Sequence, residues 1–418
     1  MISFWRIFWL EFVSLTRSRT VAMLTVAALG WMFAAPHVLT GDGTAAGARE
    51  LQLHFSLGGV FVLLVVALLA SATGCVARER AAKRLQLTLV RPVRHFAVAL
   101  GKILAHVAVG AFVFGASCLV LFLTADPGVR CNHVLSPVLP SPRAEALAMY
   151  ESYMKDPDTP EQVRRAKKDV VLRLLEQRAE DHYQTIPTNA TVAWKFDLSN
   201  PSSLSVRMRF TNPMEMRQDV VGRFRFGNLS AAVSNITQAV LTVPLAASGE
   251  PRGFERLEFD NQGGSALMVR PRKDVNLLVP ADAFGWNLLR AFAATVALLA
   301  LLVAFGVFLS AALGRAVATF VAFVVLVVGE MSPSVVQQYP NELSANLADR
   351  IGLCITRFAA EVTRPISSMS PLETLAKDEC VETDEVLRLV LVDLVTIPLV
   401  LSLLAAFVLP RKQDDGCQ

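Results

Sequence analysis

The sequence predicts an α-helical polytopic membrane protein of about six transmembrane helices carrying an inserted extracytoplasmic α+β domain, mainly antiparallel β and sandwich-like. Three observations predict it. Apolar runs of roughly 20 residues, enough to cross a bilayer, recur along the chain. One long interval, about residues 126–285, is charged and rich in turn residues. The later part of that interval alternates apolar and polar side chains with period two, as strands do. The divisions are 1–125 for a leader, three spans and a loop, 126–285 for the inserted domain, and 286–418 for three further spans.

Composition alone decides little. Of 418 residues, 53% are hydrophobic, close to a soluble domain, so the distribution carries the argument. The runs are about Val21–Leu39, Phe55–Val76, Leu104–Thr124, Trp286–Leu313, Ala316–Val328 and Leu387–Leu409. Each can hydrogen-bond its own backbone as a helix, as the hydrocarbon core demands. The fifth is short and can extend to Met331. Small residues Ala34–Ala35 end the first, but the aromatic leader before it fits a cleaved signal poorly, so it reads as a span. A net charge of +4, spread along the chain, argues against nucleic acid as a partner. Six cysteines form no CxxC pair, which removes the common zinc and redox readings.

Orientation follows from basic residues in short loops. Arg6, Arg17 and Arg19 precede the first run, and Arg78, Arg80, Lys83, Arg84, Arg91, Arg94 and Lys102 fill the interval between the second and third. Arg315 marks the next turn on that side, and Arg411 with Lys412 follows the last run. The opposite loop, 37–54, holds only Arg49. Both termini are therefore expected on the cytoplasmic side of a cell (inner) membrane, with the large domain outside. In the leader, Phe4, Phe8, Phe12 and Leu15 share a helical stripe beside Trp5 and Trp9. That pattern fits a helix lying in the membrane interface, or an extension of the first span.

In the inserted domain Asp158–Glu161 has a helix-start composition, continuing through Val163, Ala166, Val170 and Leu174. After Pro187 the period becomes two: Val192, Trp194, Phe196 and Leu198, then Leu204, Val206, Met208 and Phe210. Further short strands are expected near 224–226, 239–243, 256–259, 267–269 and 275–279. His133 and His182 lack any metal or hydrolase motif around them, and the chain has no GxSxG elbow. No catalytic residue, cofactor-binding residue or metal ligand is assigned.

The stretch from Arg78 to Lys102 carries the most information. Leu85, Leu87 and Leu89 give a short amphipathic helix, and Pro92 turns the chain after Arg91. Gly101 permits close approach of a neighbouring helix. Gly101-Lys102 is no Walker loop, because Phe96 stands where the first glycine belongs and Ile103 follows the lysine. ATP hydrolysis by this chain is therefore not expected.

This stretch resembles the loop of the ABC-2-type permease family, the membrane subunits of ABC exporters. The likeness is carried without gaps by Arg78-Glu79, Leu87, Leu89, Arg91-Pro92-Val93 and Leu100-Gly101-Lys102. The family's Gly-Thr is Lys83-Arg84 here, and the second arginine falls at Arg94. Elsewhere the likeness is one of layout: an aromatic leader with Glu11 and Arg17, six spans, and a final Leu409-Pro-Arg-Lys tail. The resemblance implies a permease subunit paired with a second permease subunit, identical or not, in the lipid bilayer. It further implies a separate ABC ATPase that holds the ATP and Mg. Glu79, Leu85, Leu87, Leu89, Arg91, Pro92, Val93, Arg94, Gly101 and Lys102 would form the ATPase-coupling loop. The same basic residues could instead only set topology and touch lipid phosphates.

Asp393 lies about two turns into the last run, near Pro398. Two placements are open for it: an intramembrane polar site within the bundle or a hydrated interfacial position. Leu343, Leu347, Ile351, Ile355, Phe358 and Val362 form a helical stripe between the last two runs. Among Cys131, Cys354 and Cys380 at most one disulfide can form. Two function classes remain: an exporter subunit, or a non-transporting ABC subunit that relays ATP-driven motion to envelope partners through the outer domain.

Overall fold

The computed structural model describes residues 2–38, 45–82, 94–124, 130–156, 168–198, 204–212, 218–247, 256–338 and 371–414. Two compact units emerge, one of residues 1–131 with 282–418, the other of residues 132–281. The first opens with α1 (Ile2–Thr16), α2 (Arg19–Val38), α3 (Ala45–Ala81) and α4 (His95–Thr124). The chain bends by 62° between α1 and α2. The break has a local cause: the Ser18 hydroxyl accepts from the Val21 N–H at 3.1 Å, capping a new helix rather than continuing the old one. So α1 does not simply prolong α2. Its Phe8, Phe12 and Leu15 pack on Ala105 and Val109 of α4, while Trp5 and Trp9 stay exposed.

The second unit holds most of β1 (Arg130–Leu135), then α5 (Pro142–Lys155), α6 (Lys168–Glu180), β2 (Gln184–Ile186), β3 (Thr191–Lys195) and β4 (Leu204–Arg209). It continues through β5 (Asp219–Phe226), β6 (Leu229–Ile236), β7 (Val240–Ala247), β8 (Arg256–Asn261), β9 (Leu267–Val269), α7 (Pro271–Asp274) and β10 (Val275–Ala283). Eight strands form one sheet in the order β1-β10-β4-β7-β6-β5-β8-β3, and β2 pairs with β9 in a separate ribbon. The sandwich-like expectation is corrected in this respect. A single antiparallel sheet curls into a half-barrel around its own core, so that Leu277 of β10, Met208 of β4, Phe224 of β5 and Phe259 of β8 meet in one cluster. Alternation behaves as expected: along β4 residues Leu204, Val206 and Met208 are buried.

Two features hold this unit together locally. Asn261, fully buried, donates to the Pro187 and Ser265 carbonyls at 3.1 and 3.0 Å and accepts from the Gly263 N–H at 3.1 Å. The helical hairpin of α5 and α6 packs through Ala146, Val171, Leu172 and Leu175. It is tied to α7 by Arg272–Glu145 at 2.7 Å and Lys273–Asp181 at 2.8 Å. With a core of its own and termini entering through adjacent strands β1 and β10, residues 132–281 expressed alone should be soluble. Their circular dichroism should be mainly β with a helical component. A random-coil spectrum would contradict the independent core.

The first unit resumes with α8 (Phe284–Ala312), α9 (Arg315–Gln338), α10 (Pro371–Ala376), α11 (Thr383–Leu389), a π-helical turn (Val390–Thr396) and α12 (Ile397–Asp414). Among the described residues four helices are long and apolar enough to cross a membrane, within α3, α4, α8 and α11–α12. The bent pair α1–α2 would make a fifth. The fifth expected span is the exception. The apolar part of α9, Arg315–Val327, is about 20 Å long at 1.5 Å per residue, short of the roughly 30 Å hydrocarbon core. By length and composition these helices are those of a membrane-spanning bundle.

At the bundle's centre lies α8, buried over 78% of its apolar window, with Ala291, Ala294, Ala297 and Ala304 admitting close neighbours. At its start Asn287 clamps the segment ahead of α11, donating to the Glu379 carbonyl at 2.7 Å and accepting from the Val381 N–H at 2.8 Å. Between them Cys380 is bonded to Cys131, with Cα atoms 5.2 Å apart. The third candidate, Cys354, and the helical stripe 343–362 lie outside the described residues.

Candidate functional site

The residues singled out at the ends of the 78–102 stretch come together. Lys102 sits in the second turn of α4 and is 2% exposed. Its ammonium donates to Glu11 Oε2 at 2.8 Å and to Glu79 Oε1 at 2.7 Å. Glu11 belongs to α1 and Glu79 to the last turn of α3, so one buried cation joins three helices that the chain order separates. A desolvated ammonium between two carboxylates is stable only while both partners remain, since removing one side leaves uncompensated buried charge.

The arrangement around Lys102 is equally specific. Gly101, beside it, lets α1 approach: a Cβ at that position would lie 3.1 Å from Ile7 Cγ2 and 3.4 Å from the Phe8 nitrogen. One turn further along α4, fully buried His106 hydrogen-bonds the Lys102 carbonyl through Nδ1 at 2.9 Å and Ser71 Oγ through Nε2 at 3.2 Å. On α3, Val76 and Ala77 donate their N–H groups to Ser310 Oγ of α8, both at 3.1 Å. The helical stem of the loop is thus fastened to α1, α4 and α8. Motion of that stem has no slack path; it must carry these helices or break these bonds.

Arg94 stands exposed just before α4, its carbonyl accepting from Ala97 N–H at 2.8 Å. Leu85, Leu87, Leu89, Arg91, Pro92 and Val93 lie outside the described residues. Sequence reasoning did not find His106, Ser71 or Ser310. His106 could have been suspected, as an imidazole four residues from a lysine inside an apolar run.

Asp393 occupies the bundle-facing side and is 1% exposed. Among the described residues neither carboxylate oxygen has a hydrogen-bond partner. The π-helical turn explains how it gets there. Buried positions run Val386, Leu389, Asp393, then Pro398, Ser402, Ala405 and Leu409. The one gap of five residues, Asp393 to Pro398, opens in the π turn and closes just after it; the turn inserts a residue and keeps both halves of the stripe inward. Pro398 has no N–H to close an α-helical bond across that turn. A buried carboxyl without donors costs about 1–3 kcal/mol or more, so Asp393→Leu should raise the unfolding midpoint in detergent. A lowered midpoint would show that Asp393 has a stabilising partner.

Among the described residues no cluster of three or more His, Cys, Asp or Glu side chains could hold a metal ion. No protein-family profile, no curated protein and no solved structure matches this chain.

Proposed function

We propose that this chain is the permease subunit of an ABC transporter, an exporter of the ABC-2 type, driven by a separate ATPase through the loop between α3 and α4. The observation that carries the reading is the Lys102 junction. Glu79 and Lys102, which bracket the loop of the family resemblance, are bonded to each other, and Lys102 is bonded in addition to Glu11 on the leader helix. A push delivered to residues 83–93 then reaches α1, α3 and α4 together. ATP and Mg would act on the partner, and this chain would convert the partner's closure into movement of its spans.

The orientation proposed places both termini and this loop in the cytoplasm and residues 132–281 outside, in a cell (inner) membrane. Basic groups support it: Arg78, Arg80 and Lys102 gather at one end of the bundle with Arg315. The Cys131–Cys380 disulfide lies with Asn287 at the start of α8, and disulfides persist on the oxidising side of a membrane. Single cysteines at Gln262 and Ser202 should react with an impermeant thiol reagent in intact cells, and one at Gln86 only after lysis. Labelling of Gln86 from outside would overturn the orientation.

A second reading has an observation of its own. The 132–281 unit has an independent core, which suits a subunit that relays ATP-driven motion to envelope partners. Affinity purification of the full chain with mass spectrometry tests both readings, since each requires an ABC ATPase to co-purify. A drug or lipid accumulation phenotype on deletion favours export, and a defect confined to envelope assembly favours the relay. Purification without any ATPase would reject both.

A further inference from the structure

We infer that the cleft between α1, α2, α3 and the start of α9 binds the phosphate headgroup of an anionic glycerophospholipid. This inference does not rest on the transporter reading. The cleft encloses about 730 Å³. Two guanidinium groups converge in it over Gly74. A Cβ on Gly74 would lie 3.1 Å from Arg78 Nε and 3.3 Å from Arg315 Nε, so the like charges are held close. Neither has an ion pair among the described residues: Arg78 donates only to the Gly74 and Ser71 carbonyls, at 3.1 and 3.5 Å. Two guanidiniums set side by side without a carboxylate repel, and the arrangement suits an anion bound between them.

The charge balance indicates which anion. Glu11 and Glu79 also line the cleft, but both are bonded to Lys102. Among the described residues Arg78 and Arg315, with Lys102 behind the two carboxylates, set three cations against two anions, which leaves a single positive charge, the complement of one phosphodiester. The start of α9 adds to this, because Gly314 before it has no side chain to cap the first N–H groups, and Arg315 begins the helix.

The walls indicate a lipid rather than a soluble phosphate. Leu15, Val21, Leu24, Val66 and Leu68 continue the cleft as an apolar surface, suited to an acyl chain. Depth agrees. The wall from α1 holds Glu11 and Leu15, and the same helix exposes Trp5 and Trp9, side chains that settle at the headgroup level. Basic pockets between membrane helices recognise anionic headgroups in this way.

The test is native mass spectrometry of the detergent-purified full chain, titrated with phosphatidylglycerol, phosphatidylcholine or inorganic phosphate. Phosphatidylglycerol should bind at least about ten-fold more tightly than phosphatidylcholine, since a net anionic lipid adds charge complementarity. Arg78→Gln with Arg315→Gln should abolish that preference. Gly74→Ala changes no charge but places a methyl group against both guanidiniums, and should weaken phosphatidylglycerol binding with the thermal midpoint retained. It keeps the idea open to refutation if the double variant misfolds. Unchanged lipid preference in either folded variant would overturn the site. Binding of inorganic phosphate without phosphatidylglycerol would overturn the lipid assignment.

Discussion

Lys102→Met should destabilise the helical unit by about 3–5 kcal/mol, the usual cost of breaking a buried ion pair from one side. The ammonium is 3% exposed and its partners Glu11 and Glu79 are 16% and 31% exposed. Methionine keeps the volume and removes the charge, leaving two carboxylates facing each other in the bundle. The loss should be strongly non-additive. Lys102→Met combined with Glu11→Gln and Glu79→Gln removes the whole cluster and should recover much of the stability, because the largest part of the single-variant penalty is orphaned charge. Thermal unfolding of the unaltered chain, the single variant and the triple variant in one detergent measures this. Equal destabilisation in the single and triple variants would mean that Lys102 acts through packing alone.

The junction also shows what the sequence could and could not reveal. Apolar runs announce spanning helices because each helix satisfies its own backbone, so α3, α4, α8 and the α11–α12 span were legible. Period-two alternation announced β3 and β4, whose inward residues help fill the half-barrel. Other elements were obscured by local composition. Ser141 and Pro142 begin α5 with a capping bond, Ser141 Oγ accepting from the Ala144 N–H at 3.2 Å, but three prolines in 137–142 mask that helix start in the sequence. Strand β6 follows a two-residue Gly227-Asn228 turn with Gly227 at φ 58°, a hairpin signal that its small and polar residues disguised.

The site divides along the same line. Glu79, Gly101 and Lys102 were found because a loop motif placed them in one short stretch. Their meeting with Glu11 was not visible, since nothing in the order of residues says that α1 folds back onto α4. Arg78 and Arg315 are 237 positions apart, and Thr73 and Thr319, whose hydroxyls lie 2.8 Å apart, are 246 apart. Contacts of that kind arise from how α8 and α9 return against α3, a tertiary fact with no local signal. Asp393 was visible as an acid in an apolar run. Its inward direction depends on the extra residue of the π turn, which straight α-helical counting misses by about 100°.

In the proposed coupling the loop between α3 and α4 receives force from an ATPase and passes it through the Lys102 junction. Reversing charge at the loop's turn, Arg91→Glu with Arg94→Glu, leaves Glu79 and Lys102 in place and keeps Arg78, Arg80, Lys83 and Arg84 to hold topology. If the turn is a desolvated contact, each reversal weakens docking by about 1–3 kcal/mol, ten- to hundred-fold in affinity. The decisive measurement is the amount of ATPase that co-purifies with the double variant at equal membrane insertion, together with ATP hydrolysis stimulated by the complex. Both should fall at least about ten-fold relative to the unaltered chain. Full association and full stimulation in the variant would contradict it, and the loop would then be a topology signal rather than the coupling element.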